Sequence, residues 1–258
     1  MWISILPSVL ILLLSLASCK VVDAPCLAHD LVCQPHGILA FGSRVGSGES
    51  ETRQQYLYVA NETASSVQAF SIHKLTGELT LVNTLASPTA AFSIAAHKDK
   101  GYLYVSNSTT NNVSMLKTNP VDGSLSQNSP FTINLPTGTL PRGMAVDPLG
   151  RFAFVAINTG SFVGAYSIAQ DTGLLTIVNS VGPAGGMAGV TVEPRGLFAY
   201  ATAFSSNQVY KITIDQTTGA LSAPAVEAAG TGPRGVTADP LGRFVYVANS
   251  SSGNISGY

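Results

Sequence analysis

The chain has 258 residues, of which 45% are hydrophobic and 10% charged, and its formal net charge is −1. So weak a charge excludes a protein that binds nucleic acid through a basic surface, and no block of like charges indicates an interaction tail. Heavy use of Gly, Ser, Thr, Asn and Val favours many short strands joined by tight turns. The composition therefore predicts an all-β protein.

The N-terminal residues predict export. Residues 3–16 form a nearly unbroken apolar run, too short to span a bilayer comfortably and typical of a secretory signal core. The run ends in Leu16-Ala17-Ser18-Cys19, which resembles the bacterial lipobox, where the cysteine is acylated. We expect residues 1–18 to be a lipoprotein signal peptide and Cys19 to carry the membrane anchor, so that the protein resides in the cell envelope, at the outer membrane or facing the periplasm. The alternative is ordinary signal cleavage and a secreted product.

Two further cysteines follow in the segment 19–33, which we expect to be an N-terminal lead. Cys26 and Cys33 are seven residues apart, and an exported protein can pair them in a disulfide. Two thiols without further ligands make a poor zinc site, so a metal pair is disfavoured.

Internal repeats organise the rest of the chain. Residues 141–152, PRGMAVDPLGRF, return at 233–244 as PRGVTADPLGRF, two periods of 46 residues later, and a weaker copy lies between them. Two other markers recur in the same register, a Tyr/Phe-rich run ending near Asn and a turn glycine. The turn glycines are Gly77, Gly123, Gly173 and Gly219. Three markers in one register are typical of a repeat architecture.

Each repeat reads as four short strands. An apolar run leads to an Asp-Pro-Leu-Gly turn, and the Tyr/Phe run, a third run such as Ser66 to Ile72, a turn glycine and a fourth run follow. Four strands per repeat of 40 to 50 residues, with no helical period, predict the blade of a β-propeller. First strands are expected to begin near Gly37, Ala91, Gly143, Gly189 and Gly235.

The last repeat stops in its third strand at Tyr258, so residues 34–258 hold about four and a half blades. A ring closes only when every blade has two neighbours. We therefore expect an incomplete propeller, lacking blades at its C-terminal end.

The Pro-Arg-x-x-x-x-Asp-Pro-x-Gly-Arg-Phe unit, the Tyr-Val-Ala-Asn strand and the Thr-Gly-x-Leu turn resemble the seven-bladed lactonase family. That family includes 6-phosphogluconolactonase-like and muconate-cyclising enzymes and is related to YVTN propeller repeats. The resemblance covers roughly residues 34–258 and implies seven blades. It also implies an activity, the hydrolysis of a sugar or other lactone.

The start of each first strand should rim the axial channel of such a propeller. The aligned residues there are His36, Phe92, Arg142, Ala188 and Arg234. Arginine presents a charged fork suited to a carboxylate, a phosphate or a developing oxyanion, and His36 could act as a general base. The resemblance also assigns an acidic position to Glu62, which would activate or orient water against a lactone carbonyl.

Structural roles compete with each of these assignments. The arginines could instead pair with turn acids such as Asp147 and Asp239, or cap carbonyls, and Glu62 could be a solvated loop residue. Asp147, Glu193, Asp239 and their prolines are interpreted as turn residues. The asparagines that end the second strands are interpreted as residues that tolerate left-handed backbone and cap it. They are Asn61, Asn107 and Asn249.

The family pattern has Arg-His before the first strand, whereas Gly143 and Gly235 follow the arginines here. We therefore predict a module that binds a protein or small molecule at the propeller rim, without a clear catalytic set. Lactone hydrolysis by Glu62, Arg142 and Arg234 is the alternative. No cofactor or metal motif is present in the sequence.

Overall fold

The computed structural model describes residues 38–42, 54–87, 90–135, 139–182 and 185–258. Predictions that concern Cys19, Cys26, Cys33, His36 and the segments 1–18 and 19–33 lie outside the described residues.

All regular secondary structure in the described residues is β-strand. The strands form five antiparallel sheets, which follow one another in chain order. The all-β propeller prediction is thereby confirmed, with four four-stranded sheets and a fifth of three strands. The first two sheets, blades 1 and 2, contain β1 Ile38–Gly42, β2 Gln55–Asn61, β3 Ser66–Ile72, β4 Leu79–Ala86, β5 Ala91–Ala96, β6 Tyr102–Asn107, β7 Asn112–Thr118 and β8 Leu125–Asn134. Blades 3, 4 and 5 contain β9 Pro141–Val146, β10 Phe152–Ile157, β11 Phe162–Ile168, β12 Leu175–Val181, β13 Met187–Val192, β14 Phe198–Ala203, β15 Gln208–Thr213, β16 Ala225–Ala228, β17 Pro233–Ala238, β18 Val245–Asn249 and β19 Asn254–Gly257.

The hydrophobic core lies between consecutive blades. In β6, Leu103 and Val105 pack against blade 1, while Tyr102 and Tyr104 pack against blade 3. Successive side chains of a strand point to opposite faces, so a strand with a blade on each side is apolar throughout. The fourth strands lie farthest out and are largely exposed, as in β16. The first strands of consecutive blades contact one another, which makes them the innermost strands.

Two of the repeat markers meet in one contact between blades. The glycine of each turn between a third and a fourth strand has a positive φ, and at Gly123, Gly173 and Gly219 an added Cβ would overlap a ring of the preceding blade. At Gly123 that Cβ would lie 2.1 Å from Tyr56 Cδ1. The Tyr58 hydroxyl donates to the Gly123 carbonyl at 3.1 Å, and burial raises the pKa of Tyr58 to about 12. Gly173 and Gly219 receive the rings of Tyr102 and Phe152 in the same way.

The described residues contain no helix long and apolar enough to cross a membrane.

Candidate functional site

The start of each first strand and the end of each second strand lie at the same end of the blade. This follows from antiparallel pairing, which sets Pro141 opposite Ile157 and Pro233 opposite Asn249. Arg142 and Arg234 are the second residues of β9 and β17, and Glu62 directly follows β2. The structure therefore brings these three predicted site residues to one end of the innermost strands, which we call the channel mouth.

The first strands of blades 3, 4 and 5 begin two residues before the predicted Gly143, Gly189 and Gly235, and a β-bulge interrupts the pairing near the start of each. In blade 3 the irregularity lies between Val155 and Ile157 of β10, which pair with Met144 and Pro141 of β9, and in blade 5 it lies between Pro233 and Val236 of β17. Arg142 and Arg234 sit in these irregular stretches and have no partner in the ladder register. Bulges of this kind redirect a side chain away from the regular pleat.

Arg142 is half-buried and stacks on an aromatic ring. Its guanidinium carbon lies 4.7 Å from the ring centroid of Phe92, the equivalent residue of blade 2. Its Nε is buried and has no hydrogen-bond partner among the described residues. Burial lowers the pKa of Arg142, the positive charge of Arg234 lowers it further, and the Glu62 carboxylate opposes both effects. The three charges at the channel mouth thus act on one another.

Arg234 repeats this arrangement with different partners. Its guanidinium carbon lies 4.4 Å from the ring centroid of Phe204, and its Nε donates to Ser250 Oγ at 3.2 Å. Phe204 and Ser250 were not predicted from the sequence. Both directly follow a second strand, as Glu62 does, so aligning that position across the blades would have found them.

The interpretation that the mouth arginines pair with turn acids is wrong. Asp147 is bound by Arg151, whose Nε and Nη2 both donate to Oδ2 at 3.1 Å, and Asp239 is bound by Arg243 at 2.9 Å. These acids lie in the turn after the first strand, at the opposite end of the blade from Arg142. Their role as turn residues is confirmed, because Asp147 Oδ1 also accepts the Phe152 N–H at 2.8 Å.

The interpretation of the strand-ending asparagines also needs correction. None of Asn61, Asn107 and Asn249 is among the described residues with a positive φ. Asn107 Nδ2 donates across the hairpin to Asn112 Oδ1 at 2.7 Å and to Ser114 Oγ at 2.8 Å. Asn249 makes the same pair of bonds to Asn254 and Ser256 at 2.9 Å. These asparagines therefore brace the second strand against the third.

The glycine after Arg142 has a structural explanation. A Cβ at Gly143 would lie 2.8 Å from the Gly189 Cα and 2.9 Å from the Ala188 carbonyl oxygen, because the first strands of blades 3 and 4 pass closely there. Contacts that short do not occur with rigid backbone atoms, so no side chain fits at this position without a shift of the strands. A histidine in this place would require a wider channel.

The donor set at the mouth is suited to an anion. Two guanidiniums lie over phenylalanine rings at this end of the blades, and a guanidinium is a planar fork suited to carboxylate or phosphate. Within the described ranges no group of three His, Cys, Asp or Glu side chains could hold a metal ion.

A sequence model of the family described as "Lactonase, 7-bladed beta-propeller" matches residues 40–186 and 177–258. The chain belongs to this lactonase family. Within the family, the chain is 27% identical over 175 residues to a 6-phosphogluconolactonase of Pectobacterium carotovorum, covering 60% of this chain and 52% of the relative. It is 31% identical over 129 residues to a 6-phosphogluconolactonase of Enterobacter sp., covering 47% of this chain and 38% of the relative. The chain thus spans about half or less of the length of these relatives.

A solved lactonase-like propeller has the same fold. The periplasmic gluconolactonase PpgL of Pseudomonas aeruginosa superposes with a TM-score of 0.69 at 19% identity, over 86% of this chain and 77% of that one. At that identity the likeness establishes the architecture of this lactonase-family chain alone.

Proposed function

We propose that the channel mouth binds a small organic anion, a sugar acid or lactone that carries a carboxylate or phosphate. The observation that carries the proposal is the electrostatic state of Arg142. This half-buried guanidinium experiences the positive charge of Arg234, and its buried Nε has no hydrogen-bond partner among the described residues. Two like charges held together at a partly desolvated site favour an anion that neutralises both.

The aromatic rings strengthen this proposal. Cation–π contact with Phe92 and Phe204 restrains the two guanidiniums, whose N–H groups are donors suited to an anion. Charge-assisted hydrogen bonds from a pre-oriented fork are among the stronger polar contacts in proteins. The names of the curated relatives, 6-phosphogluconolactonase, indicate ligands of matching chemistry for those proteins.

Calorimetric titration of the full chain with 6-phosphogluconate tests the proposal. This probe carries both a carboxylate and a phosphate. We expect Arg142→Gln and Arg234→Gln each to weaken binding by about 1.5–3 kcal/mol, roughly ten- to over a hundredfold. Arg151→Gln is the matched control, because Arg151 is bound to Asp147 in the turn at the opposite end of the blade. Equal affinity in wild type and both mouth variants would refute anion binding at this site.

Lactone hydrolysis is the second candidate, and the position of Glu62 favours it. Its carboxylate acts electrostatically on Arg142, so the channel mouth holds one carboxylate and two guanidinium groups. In this reaction Glu62 would accept a proton from water as the water oxygen attacks the carbonyl carbon. The arginines would stabilise the oxyanion, the bond to the ring oxygen would break, and the proton would pass to that oxygen, giving a hydroxy acid.

A panel of sugar lactones followed by pH-stat titration separates the two candidates. If the chain is a hydrolase, Glu62→Gln should slow turnover by about 10²–10⁴-fold. Glu78→Gln should leave it unchanged, because Glu78 lies beside the turn glycine Gly77 at the opposite end of blade 1. Binding of 6-phosphogluconate without turnover of any lactone would favour a binding module. Turnover unaffected by Glu62→Gln would exclude Glu62 as the base.

A further inference from the structure

Each mouth arginine is held through its backbone by a hydroxyl of the preceding blade. Ser106, the fifth residue of β6, is fully buried, and its Oγ donates to the Arg142 carbonyl at 2.6 Å. The same Oγ accepts the Ser93 N–H at 3.0 Å, so it links the first strands of blades 2 and 3.

Thr202 makes the equivalent contact two blades later, at the junction of blades 4 and 5. It is the fifth residue of β14 and fully buried, and its Oγ1 donates to the Arg234 carbonyl at 2.7 Å. It also accepts the Gly189 N–H at 2.9 Å. Ser106 and Thr202 therefore play one role at two junctions between blades.

The other two described junctions carry no hydroxyl in this place. Ala60 stands at the position of Ser106 in blade 1, and the next first strand presents Phe92. Ala156 stands there in blade 3, and the next first strand presents Ala188. Both alanines are fully buried, so these junctions pack tightly without the bond. In the four described junctions, the hydroxyl occurs where the following strand carries an arginine at the mouth.

We propose that Ser106 and Thr202 are positioning residues that hold Arg142 and Arg234 in their orientation at the channel mouth. The β-bulge takes each arginine out of the strand ladder, so the ladder does not fix its peptide. A short bond from a buried hydroxyl to the arginine carbonyl supplies that constraint. It fixes the origin of a long side chain, whose guanidinium then rests on the phenylalanine ring.

The value of this constraint for ligand binding rests on the proposed anion site. A guanidinium displaced by about an ångström loses the alignment of its charge-assisted bonds, and we expect about a tenfold loss of affinity per arginine. A role in packing alone would reduce stability and leave the affinity of the folded protein unchanged.

The test compares variants that differ in the hydroxyl and little else. Thr202→Val removes the hydroxyl and keeps the shape, whereas Thr202→Ser keeps the hydroxyl and loses a methyl group. Ser106→Ala tests the other junction. Ser114→Ala is the control, because Ser114 lies on the third strand of blade 2, is equally buried, and accepts a hydrogen bond from Asn107 Nδ2. Affinity for 6-phosphogluconate should fall about tenfold in Thr202→Val and Ser106→Ala and remain at the wild-type value in Thr202→Ser and Ser114→Ala.

Modification by phenylglyoxal, read residue by residue by mass spectrometry, gives a result that needs no ligand. Thr202→Val should accelerate modification of Arg234 and leave Arg142 unchanged, and Ser106→Ala should do the reverse. If wild type does not bind the probe, the anion site is refuted while these rates still decide the positioning role. Unchanged modification rates at both arginines, or an equal loss of affinity in Ser114→Ala, would overturn the positioning proposal.

Discussion

His97 should make the stability of the propeller depend on pH. It occupies the turn between β5 and β6, where the later repeats carry Asp147, Glu193 and Asp239, and only 5% of its surface is exposed. Its Nδ1 accepts the backbone N–H groups of Asp99 and Lys100 at 3.1 and 3.2 Å. Protonation of Nδ1 would remove both acceptor contacts in a buried place.

The direction of this pH dependence follows from the pKa of His97. Burial lowers it below the ordinary value of 6.5, and hydrogen bonding by Gln170 and the charges of Asp99 and Asp147 oppose that effect without reversing it. As pH falls through 6.5, the unfolded chain takes up a proton that the native state does not. Stability therefore decreases on acidification, with a slope of at most about 1.4 kcal/mol per pH unit for one proton, and levels off below the native pKa.

Urea denaturation between pH 8 and pH 5 measures this slope. His97→Asn retains an oxygen acceptor for the turn and should remove the contribution of His97 to the slope. His73→Asn is the control, because His73 is exposed, although its Nδ1 also accepts a turn N–H, that of Thr76. A loss of stability on acidification as steep in His97→Asn as in wild type would exclude this role of His97.

Three further changes have defined outcomes. Gly219→Ala should lower the melting temperature well beyond Gly253→Ala, because both have positive φ but only at Gly219 would the Cβ meet a ring, 2.3 Å from Phe152 Cδ1; equal shifts would argue against the contact. Tyr104→Phe should cost about 1–3 kcal/mol in urea denaturation, since the hydroxyl donates to the buried Gly173 carbonyl at 2.9 Å, and an unchanged midpoint would contradict this. Cys19→Ser in cells should release the protein from the membrane fraction if Cys19 carries the anchor, whereas Cys26→Ser should not; retention of the Cys19 variant would refute lipidation.

The strands were predictable because their signals are local. The third strand of blade 1 was expected from Ser66 to Ile72 and was found there, since alternating apolar residues bounded by turns dictate such a strand without help from other blades. The turn glycines were predictable for the same reason. The placement of Glu62, Arg142 and Arg234 at one end of the blades also followed from the repeat, because antiparallel strands of known order put those positions together.

The partners of the site residues were not predictable, because they come from neighbouring repeats. A period of 46 residues gives the position of each arginine in its blade, and it does not show that Arg142 lies on Phe92 or that Asp147 is already bound by Arg151. The sequence alone determined the strands, the turns and the family of this chain. The tertiary structure decided which side chains meet across the blade junctions, since those contacts depend on how closely consecutive sheets pack.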